Sequence, residues 1–199
     1  MKKQSLLTAF TLLLLVNCWS QEKTNPILFS EYYFGPAFGG SGGFSNGISL
    51  NYQTKENLFT LRYTNNIQLE GKFLFVFFPA FEVIEQTDEF ALLYGRRKIY
   101  DNHSFSYSAG VGYVKHKEFT FMENDVRNYE VQDGVGLPFE MNIKWFNRDK
   151  ERYRIYFLVP VGKPTSFSRS IGFKLYGNIS KNAFIGIGIN YGFGWHKNY

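Results

Sequence analysis

Three histidines, His103, His116 and His196, are the natural starting points for chemistry in this chain. An imidazole serves as general base for a serine nucleophile only within hydrogen-bond reach of the hydroxyl. His103 stands beside Ser104 at a turn, His196 lies at the C-terminus, and His116 ends a strand-like stretch near Glu118. Only His116 is a serious candidate, and no serine occurs in 117–133 to partner it. Ser108 is carried inward by the residue alternation and lies far down the strand. His116 therefore reads as a solvated rim histidine, and no catalytic residue is assigned.

Metal and cofactor signals fail in the same way. Glu123, Asp125, Glu130 and Asp133 offer the oxygen ligands a hard cation takes, but their spacing departs from the alternate-position loop built around a central glycine. They read as solvated loop charge. Gly186-x-Gly188 leads into no helix, and the cluster Gly39-Gly40-Ser41-Gly42-Gly43 lacks the Gly-Lys-Ser/Thr of a phosphate loop, so no cofactor is expected.

Composition narrows the remaining classes. The 199 residues suit one domain, with 44% hydrophobic and 20% aromatic content, including 22 Phe and 14 Tyr. Lys2 and Lys3 precede an apolar run from Leu6 to Val16, and Ser20 stands before Gln21, the pattern of a signal peptide over 1–20 with a mature domain over 21–199. An alternative reads Leu15-Val16-Asn17-Cys18 as a lipidation site on Cys18, although Asn17 fits poorly there. The signal carries two lysines and no acid, so a net charge of +5 falls to +3 without it. With no Lys/Arg run, nucleic acid is not an expected partner.

Alternation with a period of two organises the mature chain, whereas helical periodicity is scarce. Tyr32, Phe34 and Phe38 alternate with Glu31, Tyr33 and Gly35; Phe44, Ile48, Leu50 and Tyr52 with Ser45, Gly47, Ser49 and Asn51; Phe59, Leu61 and Tyr63 with Thr60, Arg62 and Thr64. Phe90, Leu92 and Tyr94 face away from Glu89, Ala91 and Arg97, with Leu93 breaking the pattern. Three further stretches, 104–113, 135–145 and 170–178, lead to the sequence FIGIGINYGFGW at 184–195.

What the two faces carry decides the architecture. One face is Phe, Ile, Leu and Val flanked by Tyr and Trp; the other is mainly Gly, Ser, Ala, Asn and single charges. A soluble sandwich would put hydrated Lys, Glu and Thr opposite its core. An apolar exterior band with aromatic girdles, enclosing a narrow polar interior, describes a transmembrane β-barrel instead. Hydrocarbon leaves unpaired backbone groups unsatisfied, so such a sheet must close. The predicted fold is all-β, a closed antiparallel up-and-down transmembrane barrel of eight strands. The strand-like stretches 73–78 and 153–159 keep ten strands open as the alternative.

The export signal, the alternating segments and the aromatic terminal strand with Gly192-Phe193-Gly194-Trp195 and Tyr199 resemble the small outer-membrane β-barrel proteins of Gram-negative bacteria, of the OmpX/OmpA type. The resemblance implies an outer-membrane location, a monomer, and contact with outer-membrane lipid and lipopolysaccharide. It also implies recognition of the terminal strand by the barrel-assembly machinery through Tyr191, Phe193, Trp195 and Tyr199, on a strand whose Ile185, Ile187 and Ile189 face lipid. With both termini periplasmic, 39–43, 65–87, 116–133 and 179–182 face outside.

Inward parity collects Glu31, Arg62, Glu89, Arg97, Glu140, Lys144 and Lys174 into one lumen. Burying any of them unpaired is costly, so they are expected to pair across a largely plugged interior. The functional expectation is a non-enzymatic barrel with a structural or interaction role; Phe73 to Phe81 in the outer segment either extend the strand wall or offer an apolar docking patch. Its alternatives are a lipid A acylase- or deacylase-like barrel enzyme and a small porin-like pore.

Overall fold

A computed structural model describes residues 26–40, 42–75, 78–121, 127–155 and 158–197. The candidate signal over 1–20, Cys18, Glu123, Asp125 and Tyr199 lie outside the described residues. Among the described residues ten strands follow one another: β1 (Ile27–Gly39), β2 (Gly43–Thr54), β3 (Asn57–Phe75), β4 (Phe78–Ile99), β5 (His103–Phe121), β6 (Arg127–Phe146), β7 (Glu151–Ile155), β8 (Val159–Thr165), β9 (Phe167–Ile179) and β10 (Phe184–Trp195).

Eight of them close a single antiparallel barrel in the order β1-β10-β9-β6-β5-β4-β3-β2. Closure runs between first and last strands, with Tyr32 opposite Tyr191 and Phe38 opposite Ile185. Phe73, Leu74 and Phe75 end β3 and Phe78 begins β4, while Glu151–Ile155 and Val159–Thr165 form the separate pair β7-β8. Neither adds a strand to the wall, so the barrel has eight strands and not ten. Skipping β7-β8, the wall continues from β6 directly to β9, Trp145 facing Ile171.

The turns joining β2 to β3 and β4 to β5 lie at the end of the barrel that carries the N-terminus of β1 and the C-terminus of β10, termed here the terminal end. Thr54 pairs with Asn57 across a two-residue turn, and Lys55 takes a positive φ of 55°. Primed hairpin turns need such a conformation because their twist matches that of the strands. At the opposite, far end the barrel is lopsided. β3 to β6 run 19 to 22 residues, against 12 or 13 for β1, β2, β9 and β10.

Alternation now has a direct meaning. Along β10 every even residue from Phe184 to Gly194 is buried and every odd one from Ile185 to Trp195 is exposed. The exposed side of the other wall strands includes Phe34, Leu50, Leu61, Leu92, Val111, Leu137, Ile143 and Phe173, while the buried side includes charged and amide side chains. Leu93, which interrupts the pattern by sequence, points inward and is buried.

The lumen is filled in layers. Toward the far end Tyr33, Ala37, Tyr176 and Phe184 cluster, the two tyrosine rings 4.8 Å apart. Toward the terminal end Ile27, Phe29 and Leu58 pack together. Charged side chains occupy the space between. Glycine on the inner face makes this filling possible: a Cβ on Gly186 would come within 2.5 Å of the Tyr176 ring.

Candidate functional site

The charges read as lumenal from the sequence are all buried, and six of them form one alternating chain. Lys144 and Lys174 both bind Glu31, the latter at 3.2 Å. Lys174 also reaches Glu140 at 2.9 Å, and Glu140 accepts from Arg62 Nη1 at 3.2 Å. Arg62 then forks onto Glu89, donating from Nη2 at 2.7 Å and from Nε at 3.1 Å. Three cations thus balance three carboxylates along the run Lys144, Glu31, Lys174, Glu140, Arg62, Glu89.

Neutral groups complete the shells. Glu31 accepts from Ser49 at 3.1 Å and Asn190 at 3.2 Å, and Glu89 accepts from Thr64 at 3.3 Å and from Asn178. Arg62 also donates to the carbonyls of Phe139 and Gly177. Buried charges without such partners would carry most of their desolvation cost uncompensated. The Tyr33 hydroxyl joins Thr64 at 2.6 Å, and its ring lies 4.4 Å from the Lys174 ammonium.

Arg97 departs from the expected pairing. No carboxylate reaches it among the described residues. It donates instead to Ser104 Oγ at 3.1 Å, Gln53 Oε1 at 2.9 Å and the His196 carbonyl at 2.9 Å. Its guanidinium lies 4.6 Å from the Phe29 ring centre and 5.8 Å from that of Phe146, in the range of cation–π attraction. His196 fills the same level, stacked 5.9 Å from Phe146 and fully buried.

The histidine expectations need correction. His116 is only 6% exposed, and its Nδ1 contacts the Thr87 hydroxyl at 2.8 Å, so it is an inward-facing side chain and not a solvated rim group. The alternation of β5 carries the signal: residues 104 to 114 place even positions inward, and 116 continues the series. By the same parity His196, one step beyond the outward Trp195, enters the lumen. His103 stays at the terminal-end turn, stacked on Tyr100 and bonded to Asn102.

Elsewhere the candidate residues stay apart. Among the described residues no group of three acidic, histidine or cysteine side chains is placed to hold a metal. The side chains of 73–81 lie outside the described residues. On the terminal strand Ile185, Ile187, Ile189, Tyr191, Phe193 and Trp195 all lie on the outer face.

No family model matches the chain, and no curated protein matches it either. Solved structures do. Ail, the attachment invasion locus protein of Yersinia pestis, in its complex with the heparin analogue sucrose octasulfate, is similar with a TM-score of 0.51 at 9% identity, covering 87% of this chain and 99% of that one. Neisserial surface protein A gives 0.49 at 11% identity over 87% and 99%, and the N-terminal barrel domain of Pseudomonas aeruginosa OprF 0.45 at 10% over 85% and 98%. At 9% identity the likeness to Ail is one of fold, and the fold is that of the small eight-stranded outer-membrane barrels.

Proposed function

We propose that the chain is an exported, monomeric, integral outer-membrane β-barrel that neither conducts nor catalyses, and that acts structurally or through its far-end strands. The observation that carries this reading is the inversion of its faces. Seven charged side chains are buried while a band of Phe, Leu, Ile and Val is exposed around the wall. Water would reverse that arrangement; hydrocarbon favours it. The far end then faces outside and the terminal end the periplasm.

Two features support the narrower claims. The ion chain lies between the Tyr33–Tyr176 layer and the Phe29–Leu58 layer, which leaves no wide polar path along the axis. Thr87 and His116 form the hydroxyl–imidazole pair closest to an enzyme reading, but at 1% and 6% exposure they are closed to an approaching lipid. A role in interaction rests on the long strands. Among the described residues, β3 past Ile67 is paired only to β4, and β6 before Leu137 only to β5. The protruding sheet thus has two open edges, at 68–75 and 127–136, which a partner strand can join through main-chain hydrogen bonds. Lipopolysaccharide surrounds this end, and the barrel-assembly machinery reads the aromatic terminal strand, Tyr199 included.

Two measurements test the proposal. The membrane fraction should contain a heat-modifiable species on gels, and a soluble, non-modifiable chain would refute the barrel. Planar bilayers containing the folded protein should stay electrically quiet; large, steady channels would replace the plugged reading with a pore.

A further inference from the structure

A hollow of about 870 Å³ lies at the terminal end, where the outer faces of β6, β9 and β10 meet the segment joining β6 to β7. Its two walls differ in chemistry. On the barrel side stand Trp145 and Phe193, both exposed members of the aromatic girdle. On the other side stand Arg148 and Arg152, with Arg169 nearby from β9 and Glu151 as the acidic member. Arg148 and Arg152 make no hydrogen bond or ion pair among the described residues, whereas Arg169 is already engaged.

We propose that this hollow holds the headgroup of an anionic phospholipid of the periplasmic leaflet, an inference that rests on the outer-membrane reading above. Three arginines against one glutamate leave the lining cationic. A guanidinium presents two parallel N–H groups to a phosphodiester, and its weak hydration makes it the better basic side chain for such a site. Trp145 and Tyr191, both exposed in the lining, are the amphipathic ring types that meet headgroups, so acyl chains would run along the apolar wall beyond them. The volume falls within the roughly 300–1,000 Å³ of ordinary ligand sites. Basic side chains beside a membrane draw anionic lipid selectively, which separates this occupant from a zwitterionic one.

The position of β7-β8 now has a use. A short turn would suffice to join the antiparallel neighbours β6 and β9, yet 147–166 intervene and bring Arg148 and Arg152 into the lining of the hollow. The insertion adds two arginines to the one that β9 already places at the hollow, without putting further charge on the lipid-facing wall.

The test uses the full chain folded in detergent micelles containing phosphatidylglycerol or phosphatidylcholine, with retained lipid counted by native mass spectrometry. Wild-type protein should retain phosphatidylglycerol preferentially, and R148Q/R152Q should lower that retention about tenfold, the order expected for losing charge-assisted bonds. Arg148→Lys with Arg152→Lys should recover part of it, and Lys163→Gln, on β8 away from the hollow, should change nothing. Undiminished phosphatidylglycerol in R148Q/R152Q would overturn the site, as would equal retention of the two lipids by wild type. Heat-modifiable migration, read on every sample, keeps the two ideas apart. If wild type fails to show it, the membrane reading falls and the site with it; if it shows it and the glutamine variant still holds lipid, only the site falls.

Discussion

At mid-barrel Arg62 meets two carboxylates, Glu89 at 2.7 Å and Glu140 at 3.2 Å, whereas nearer the terminal end Arg97 meets none among the described residues and lies close to the rings of Phe29 and Phe146. Both guanidiniums are fully buried, so desolvation weighs on both. The difference lies in what each leaves behind when removed. Arg62 compensates two anions; Arg97 compensates only neutral acceptors, the Gln53 and Ser104 oxygens and the His196 carbonyl. The middle of the lumen is therefore a set of mutually dependent charges, and its terminal-end level a packed plug with polar edges.

Removing Arg62 should break the contrast most sharply. Arg62→Met strands Glu89 against Thr64 and Asn178 alone, and losing one partner of a buried pair costs about 3–5 kcal/mol. Urea unfolding of the folded barrel, followed by gel migration, should show that loss. Adding Glu89→Gln should recover part of it, since the stranded charge goes too. A loss unchanged by the second substitution would mean that Arg62 acts by filling space and not by charge.

Arg97→Met is the matched experiment and should cost less, about 1–3 kcal/mol, the range for leaving buried acceptors unsatisfied. Methionine keeps apolar contact with Phe29 and Phe146, which offsets part of the loss. Should the two methionine variants prove equally unstable, the distinction between a charge-coupled middle and a packed plug disappears.

Much of this was legible from alternation alone, because a strand's period of two assigns each residue to a face whatever the tertiary structure. Glu31, Glu140 and Lys174 are placed inward on that ground. Parity carries no information about partners, however. Glu31 on β1 meets Lys174 two strands away and Lys144 three strands away, and Arg62 on β3 reaches Glu140 on β6 across the lumen. These contacts depend on how the closed sheet tilts and on side-chain length, neither of which is local. Arg97 shows the same limit: its inward parity is readable, but its neighbours at that level are the aromatic rings of β1 and β6 and not a carboxylate. His116 and His196 each stand one alternation step beyond an assigned stretch, so their inward parity is legible, but parity does not say where a strand ceases to be enclosed, and a strand-end histidine reads equally well as a rim group. The pair β7-β8 has strand-like composition, yet composition does not say which edge, if any, a strand joins.

The two levels meet at one residue, and the smallest expected effect sharpens their boundary. Gly192 lies opposite Glu31 on one side and Ser170 on the other. A Cβ there would stand 3.1 Å from the Lys144 ammonium, 3.0 Å from the His196 ring, and in contact with the Ser170 hydroxyl. Two of these are flexible ends: the serine can change rotamer, and the Lys144 head can slide while still reaching Glu31. The imidazole is held by stacking on Phe146 and has less freedom. Gly192→Ala should therefore cost under about 1 kcal/mol, at the low edge of what overpacking brings. Combined with His196→Ala, which removes the rigid neighbour, the alanine at 192 should cost nothing further. If its cost persists in the double variant, the crowding comes from Ser170 or Lys144, and the His196 plug does not set the boundary.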